Sequence, residues 1–270
     1  NSRVVFFFLP MLKTKNWIKV LLAFLMIILV VCCKPSDQTL FKELPSKSTH
    51  IDFNNRIIET DTFNILTNEY IFNGGGVAAA DFNNDGLTDL YFTGNQVENR
   101  LYLNKGDLIF DDITERSQTA AVDNWSTGVV VADVNSDGWL DMYVCTAMNT
   151  NQRENLLYLN QGLDNEGVPY FKEQGDRFKV ASTSNSMAAA FFDYNKDGLL
   201  DLYVVNNEQT EMNPNKYRKK IVDGSAPSTD QLFRNNGDGT FTDVSKEAGI
   251  QIEGYGLSVT ISDFNKDHWP

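Results

Sequence analysis

The stretch DFNNDGLTD, residues 81–89, decides the fold, because the chain repeats its pattern three more times. The pattern is D-x-N-x-D-G-x-x-D, and two further complete copies occupy residues 133–141 and 193–201. A fourth copy begins at Asp263 and has reached its eighth position at Pro270, the last residue printed. In such a loop the oxygens of positions 1, 3 and 5 converge inside a tight turn. Position 7 can add a backbone carbonyl, and position 9 another carboxylate.

These donors are all oxygens, and they predict loops that bind calcium. Hard oxygen ligands suit Ca²⁺ and are wrong for zinc or copper, and glycine at position 6 permits the sharp bend. The alternative for any one copy is a surface turn that binds no metal, since Asp, Asn and Gly favour turns for reasons of their own backbone. Three complete copies with identical spacing favour calcium. The predicted ligands are Asp81, Asn83, Asp85, Leu87, Asp89, Asp133, Asn135, Asp137, Trp139, Asp141, Asp193, Asn195, Asp197, Leu199, Asp201, Asp263, Asn265 and Asp267.

The residues that follow each loop exclude an EF-hand. An EF-hand needs a bidentate glutamate at position 12 and a helix on each side. Position 12 is Phe92, Val144 or Val204 here, and the flanking residues are β-branched or aromatic. Such residues favour strands, so each loop is predicted to connect two strands.

The spacing of the loops predicts a β-propeller. Successive first Asp residues are 52, 60 and 70 positions apart, and a period of about 50 residues with several strands per unit is typical of propeller blades. The predicted first strands of the units are 74–80, 126–132, 186–192 and 256–262, each with a small residue five positions before the loop: Gly76, Gly128, Ala188 and Ser258. A small residue suits the innermost strand of a blade, which lies at the crowded central axis.

Each unit continues with further predicted strands. Residues 101–104, 157–160 and 232–235 precede Asn/Gly turns of the kind found in hairpins. Short last strands are predicted at 109–113, near 170–171 and at 241–244, and additional strand material at 70–72. Insertions at 163–175 and 207–229 lengthen the units. The second insertion holds a basic run over residues 216–220, which is either a solvated face or a contact for an anionic partner.

The N-terminus resembles a bacterial lipoprotein signal. Residues 1–10 look like translated upstream sequence before a start at Met11, three lysines follow, and residues 20–31 form an uncharged apolar run. That run is shorter than the roughly 20 residues of a membrane-spanning helix. It ends at Cys32 and Cys33, and Cys33 is the predicted site of lipidation; an ordinary signal peptide or an uncleaved anchor is the alternative. The predicted organisation is therefore 1–33 upstream residues and signal, 34–49 polar linker, and 50–270 propeller, truncated at its C-terminus.

The charge argues against a nucleic-acid partner. Residues 1–34 carry five basic and no acidic residues, so the remainder has 18 basic residues against 36 acidic ones, a formal charge of −18. Eleven of these acids are loop aspartates. Nucleic-acid binding needs a basic footprint, which this surface lacks. The remaining cysteine, Cys145, lies on a predicted strand and is expected to be a small buried hydrophobic residue.

The repeated loops, with LYLN at 101–104 and NNGDGTFTDV at 235–244, resemble FG-GAP/VCBS repeats, the blade unit of integrin-α-type propellers. From residue 50 onward the chain is similar to exported bacterial proteins of the CRTAC1-like group, often found with an ASPIC/UnbV segment. This resemblance implies a calcium-stabilised, seven-bladed propeller, of which about three blades and the start of a fourth are present. One departure is His268, which replaces the position-6 glycine of the fourth loop.

These observations predict a non-catalytic binding or scaffold protein. It would be exported to the bacterial cell surface, outer membrane or periplasm, contact the membrane only through its lipid anchor, and bind an extracellular protein or glycan. The alternative is a secreted carbohydrate-active lyase or hydrolase, because a fold does not decide function. Against catalysis, the sequence has no G-x-S-x-G or H-E-x-x-H motif and only two histidines. Paired carboxylates could serve a glycosidase, but the conspicuous ones are already predicted to bind metal.

Overall fold

Each of the three complete loop repeats folds into one four-stranded antiparallel sheet. The structure is a computed structural model, and it describes residues 40–148, 154–208 and 219–270. Within each sheet the strands lie in chain order, so every strand pairs with its neighbour in sequence. The β-branched and aromatic residues that flank the loops suit the pleated, half-buried surface of a strand. The described part of residues 45–270, which form one compact unit, is therefore all-β apart from short helices.

The bounds of the elements show the same plan in every sheet. The first sheet contains β1 (Val77–Ala80), β2 (Asp89–Phe92), β3 (Arg100–Asn104) and β4 (Phe110–Asp112). The second contains β5 (Ser126–Ala132), β6 (Asp141–Thr146), β7 (Leu156–Leu163) and β8 (Pro169–Glu173). The third contains β9 (Ser186–Phe192), β10 (Asp201–Asn206), β11 (Gln231–Asn235) and β12 (Phe241–Asp243). The one-turn helices are α1 (Ser46–Thr49), α2 (Thr114–Ser117) and α3 (Gly175–Phe178).

The predicted strands of the three complete repeats are confirmed, with small changes at their ends. β5 and β9 have the predicted bounds, whereas β1 begins at Val77 and not at Gly74. Gly74 has φ +82°, a left-handed conformation that interrupts an extended strand. The polar segment predicted as a linker includes the first described helix, α1.

Two predicted strands are wrong. Residues 70–72 form turns, because the amides of Ile71 and Asn73 bond to carbonyls three residues earlier and cannot join a ladder. Residues 256–262 form no strand either. Isolated bridges at Glu253 and Tyr255 and two hydrogen bonds of the Gly256 backbone, to Asn206 and Asn207, connect this part of the chain to its surroundings. In the other repeats the pairing strand starts at loop position 9, and the printed sequence ends at position 8 of the fourth loop.

The sheets pack against each other through two apolar clusters. One cluster joins the first two sheets and includes Tyr91, Leu101, Met142 and Phe171, all essentially inaccessible to solvent. The other joins the second and third sheets. It includes Cys145, which confirms that this cysteine is a buried hydrophobic residue. Burial also raises the pKa of the Cys145 thiol well above its usual range, so the thiol stays neutral.

The first strands of neighbouring sheets approach each other backbone to backbone. The amide of Gly76 donates to the carbonyl of Thr127 at 2.7 Å, and the hydroxyl of Thr127 donates to the carbonyl of Ser186 at 2.6 Å. A Cβ at Gly76 would lie 2.9 Å from the Thr127 carbonyl oxygen, and one at Gly128 would lie 2.6 Å from that of Met187. Small residues are therefore required at these positions by the neighbouring backbone, as the sequence predicted.

Replacing Gly128 with alanine tests this close approach. The added methyl group would meet backbone atoms of Met187 and Ala188, which cannot rotate away, so Gly128→Ala should destabilise the fold by about 2 kcal/mol. Gly254→Ala is the matched control, because a Cβ there would meet only one atom, at 3.9 Å. Urea unfolding midpoints give the comparison. Equal midpoints for the two variants would contradict the close approach.

Candidate calcium loops

The three complete loops occupy equivalent places in the sheets. Each begins after the first strand of its sheet, and its ninth residue opens the second strand, as Asp89 opens β2. The antiparallel order places the loops and the turns between third and fourth strands at one end of the sheets, here called the loop end. Positions 4 to 6 of each complete loop are solvent-exposed, whereas the ninth residues, Asp89, Asp141 and Asp201, have no accessible surface.

The side chains at positions 1, 3 and 5 hold all four loops in the same turn. In the first loop, Asp81 accepts hydrogen bonds from the amides of Asp85 at 3.1 Å and Gly86 at 2.8 Å. Asn83 Oδ1 accepts from the Asp85 amide, and Asp85 Oδ1 accepts from the Leu87 amide. The other three loops repeat these four bonds. The sequence-predicted ligands at positions 1, 3 and 5 are thus brought together in every loop.

The backbone of the loops is left-handed at two positions. Position 6 has φ between +85° and +87° in the complete loops, and His268 takes φ +69° at the same place in the fourth loop. A non-glycine residue in this region carries a conformational cost, so His268 holds the turn under strain. Position 4 is also left-handed, with φ +57° at Asn84, +58° at Ser136 and +69° at Lys196. The left-handed conformation at position 4 was not predicted from the sequence.

The ninth-position carboxylates have a structural role that the sequence did not reveal. Asp141 Oδ2 accepts a hydrogen bond from the amide of Val134 at 2.9 Å, and its Oδ1 accepts from the amide of Asn160 at 2.8 Å. In the same way, Asp89 accepts hydrogen bonds from the amides of Phe82 and Asn104. Asp201 accepts them from the amides of Tyr194 and Asn235. Each carboxylate therefore closes its loop and fastens it to the third strand of the sheet. A carboxylate has about four lone-pair positions, so these bonds leave capacity for a cation.

Ionisation is unfavourable at these buried carboxylates. The pKa of Asp141 is raised to about 7, mainly by burial and also by the nearby charges of Asp137 and Asp133, although its two backbone hydrogen bonds lower it. The pKa of Asp89 is raised to about 6 and that of Asp201 is also raised, with burial again the main cause. Within the described residues, no Lys or Arg side chain forms an ion pair with any of the three. A divalent cation would relieve this repulsion.

The donor set of the loops fits calcium. Among the residues that the structure describes, no three His, Cys, Asp or Glu side chains are placed to hold a metal by themselves. The predicted ligand set adds the Asn oxygen at position 3 and a backbone carbonyl to the carboxylates. Mixed carboxylate, amide and carbonyl oxygens are the ligands that Ca²⁺ takes in flexible loops. Ca²⁺ bound there would supply positive charge to a turn that is already formed.

Two further recurrent side chains support the loops. The asparagine that ends the LYLN motif (Asn104 in the first sheet) donates to the carbonyl at loop position 8 and accepts from the amide two residues onward. Asn160 and Asn235 repeat both bonds. A tyrosine stands two residues after each complete loop. Tyr91 and Tyr143 are buried and donate to carbonyls of the segments between sheets, at 2.7 Å and 2.8 Å, whereas Tyr203 donates to Asp230 Oδ2 in its own repeat. The tyrosine recurs two residues after each loop, and the asparagine recurs at the end of each third strand, although its distance from the loop varies. These recurrences were the signals that could have identified them.

Other predicted features lie partly or wholly outside the described residues. Cys33 and the whole predicted signal fall there, as do residues 216–218 of the basic run; Lys219 and Lys220 are described and exposed. Among the described residues, no helix is both long and apolar enough to cross a bilayer.

Comparison with known proteins identifies the repeat. The family described as FG-GAP-like repeat matches residues 81–144, which run from the first residue of the first loop into β6. The chain thus contains an FG-GAP-like repeat, as predicted from the loops. A comparison with curated proteins found no match.

Removing the carboxylate of Asp141 should destabilise the protein even without metal. Asp141→Ala leaves the buried amides of Val134 and Asn160 without acceptors, at a cost of about 1–3 kcal/mol for each unsatisfied group. Asp137→Ala removes an exposed loop carboxylate and should cost less than about 1 kcal/mol in EDTA. Urea unfolding in EDTA measures both. If the two variants lose the same stability, the ninth carboxylate is not a structural clamp.

Proposed function

We propose that the chain is part of a β-propeller whose blades are stabilised by calcium. The observation that carries this proposal is the recurrence of one oxygen-lined turn at the same end of three consecutive four-stranded sheets. The matching FG-GAP-like repeat and the close packing of the first strands support a propeller. The resemblance to FG-GAP/VCBS proteins implies seven blades in the intact protein, which would close by pairing the first blade with the last.

The energetics favour an extracellular setting. Calcium modules outside cells have dissociation constants of about 10⁻⁴–10⁻³ M. At ten times that concentration each site stabilises the folded state by about 1.4 kcal/mol. Three sites then contribute about 4 kcal/mol, comparable with the total stability of many domains. Calcium in these loops is therefore structural in the proposed function, and the loops are not a reaction centre.

The stoichiometry of calcium binding tests the proposal. Titration calorimetry on the full chain should give three ions per chain with millimolar or tighter affinity, and a weaker fourth site where His268 strains the turn. Asp81→Ala, Asp133→Ala and Asp193→Ala should each remove one ion. Each of these three aspartates accepts hydrogen bonds from at least two backbone amides of its own loop. No calcium binding by a folded chain would contradict the proposal.

The proposed cellular role is a lipid-anchored binding scaffold on the surface of a bacterium. It rests on the lipoprotein-like N-terminus and on the absence of catalytic sequence motifs. Acylation of Cys33, detected by mass spectrometry of the mature protein, tests the anchor. A mature N-terminus that begins elsewhere, or an unmodified Cys33, would contradict it.

The proposed ligand is an extracellular protein or glycan that binds opposite the loop end. A groove of about 470 Å³ lies there, between the loop after β2 and the segment before β5. Phe63 and Trp125 line it together with the amides of Asn95 and Asn124. Apolar walls with a few polar groups are typical of ligand sites.

A single assay distinguishes a binding protein from an enzyme. On arrays of glycans and extracellular proteins, the chain should retain its ligand and release no product, whereas release of oligosaccharides would establish the enzyme alternative. Val122→Lys should reduce retention at least tenfold, because Val122 lines the groove and is 55% exposed. Leu108→Lys, at a residue 52% exposed near the loop end, is the matched control and should retain the ligand normally.

A further inference from the structure

One side chain connects the first loop to the second through the protein interior. Asn160, the residue whose amide bonds Asp141, donates from Nδ2 to the carbonyl of Phe82 at 2.9 Å. Phe82 is position 2 of the first loop, and its own amide donates to Asp89. A buried path of hydrogen bonds thus runs from the ninth carboxylate of the first loop, through Phe82 and Asn160, to the ninth carboxylate of the second.

A second contact joins the same two loops at the surface. Asn84, the left-handed residue at position 4, donates from Nδ2 to the carbonyl of Gly138 at 3.2 Å. Gly138 is position 6 of the second loop, next to the residue whose carbonyl is a predicted ligand. The first and second loops are therefore connected on both sides of the turn.

The second and third loops have no such connection among the described residues. Asn235 occupies the place of Asn160 in the third sheet, but its side chain bonds Leu200 and Gly237, both in its own repeat. At position 4 the second loop has Ser136, whose side chain is too short to reach across as Asn84 does. This difference between otherwise equivalent repeats makes a specific prediction possible.

We propose that the first and second loops bind calcium cooperatively, and that the third loop binds independently of them. This inference rests on the proposed calcium function and adds a coupling to it. Phe82 lies between the first and third ligands of its loop, so ordering that loop fixes the Phe82 carbonyl. That carbonyl holds the side chain of Asn160. The backbone amide of Asn160 in turn orients Asp141, a predicted ligand of the second loop. Order achieved in one loop lowers the cost of ordering the other, which is positive cooperativity.

The tryptophan at position 7 of the second loop supplies a selective signal. Terbium in that loop would accept excitation energy from Trp139, whereas position 7 is leucine in the first and third loops. Trp269→Phe removes the corresponding antenna of the fourth loop. Trp125 precedes the seven-residue strand β5, which separates it from the loop by about 23 Å. Terbium titration of the full chain carrying Trp17→Phe and Trp269→Phe therefore reports occupancy of the second loop when excitation is at the long-wavelength edge of tryptophan absorption, where Tyr194 of the third loop does not absorb. Trp139→Phe should remove the signal.

The expected result is a coupling that depends on Asn160. Disabling the first loop with Asp85→Ala should weaken terbium binding at the second loop at least fivefold, whereas disabling the third with Asp197→Ala should change it less than twofold. In an Asn160→Ala background the effect of Asp85→Ala should fall below twofold. In the matched Asn235→Ala background, which loses the same local bonds but no bond between sheets, the fivefold effect should remain.

Two outcomes overturn the proposal, and they differ in what else they contradict. Terbium that binds the second loop with an affinity independent of Asp85, in variants whose circular dichroism matches the parent, refutes the coupling and leaves the calcium function intact. Absence of any signal that depends on Trp139 and Asp137, in a folded chain, contradicts the calcium function itself and the coupling with it.

Discussion

The fold depends on a buried carboxylate that accepts two backbone hydrogen bonds at the end of each loop. Asp89, Asp141 and Asp201 each join the second residue of a loop to the third strand of its sheet. The carboxylate thereby satisfies two amides that would otherwise be buried without partners, and it fixes where the second strand starts. When ionised, the same group places a negative charge in the interior near two more carboxylates, and burial together with those charges raises its pKa.

This arrangement makes the loop both a fold element and a candidate metal site. The turn is held by hydrogen bonds to positions 1, 3 and 5, and a bound cation would restrict its remaining motion. The asparagine that donates to the ninth carboxylate also accepts a hydrogen bond from the turn after the third strand. In the second sheet that asparagine, Asn160, reaches the first loop as well. The conformation of the loops and the packing of the sheets are thus linked through hydrogen bonds.

The fold was largely predictable from sequence because short, local sequence patterns specify its repeating unit. The loop motif, the β-branched flanks and the small residues at Gly76 and Gly128 predicted three four-stranded sheets and the bounds of β5 and β9. Two kinds of feature were not predictable. The turns at 70–72 and the unpaired segment at 256–262 depend on which partners are in reach, and the pattern of residues does not show this. The clamp role of Asp141 and the bridge from Asn160 to Phe82 depend on contacts between residues 19 and 78 positions apart.

The most direct test of the account is a pair of thermal melts of the full chain, one in millimolar calcium and one in EDTA. Three occupied loops contribute about 4 kcal/mol, so the account predicts that calcium raises Tm by about 10 °C. That increase should disappear when Asp81, Asp133 and Asp193 are all replaced by alanine. Identical melts in the two buffers, for a chain shown by circular dichroism to be folded, would reduce the loops to turns that bind no metal.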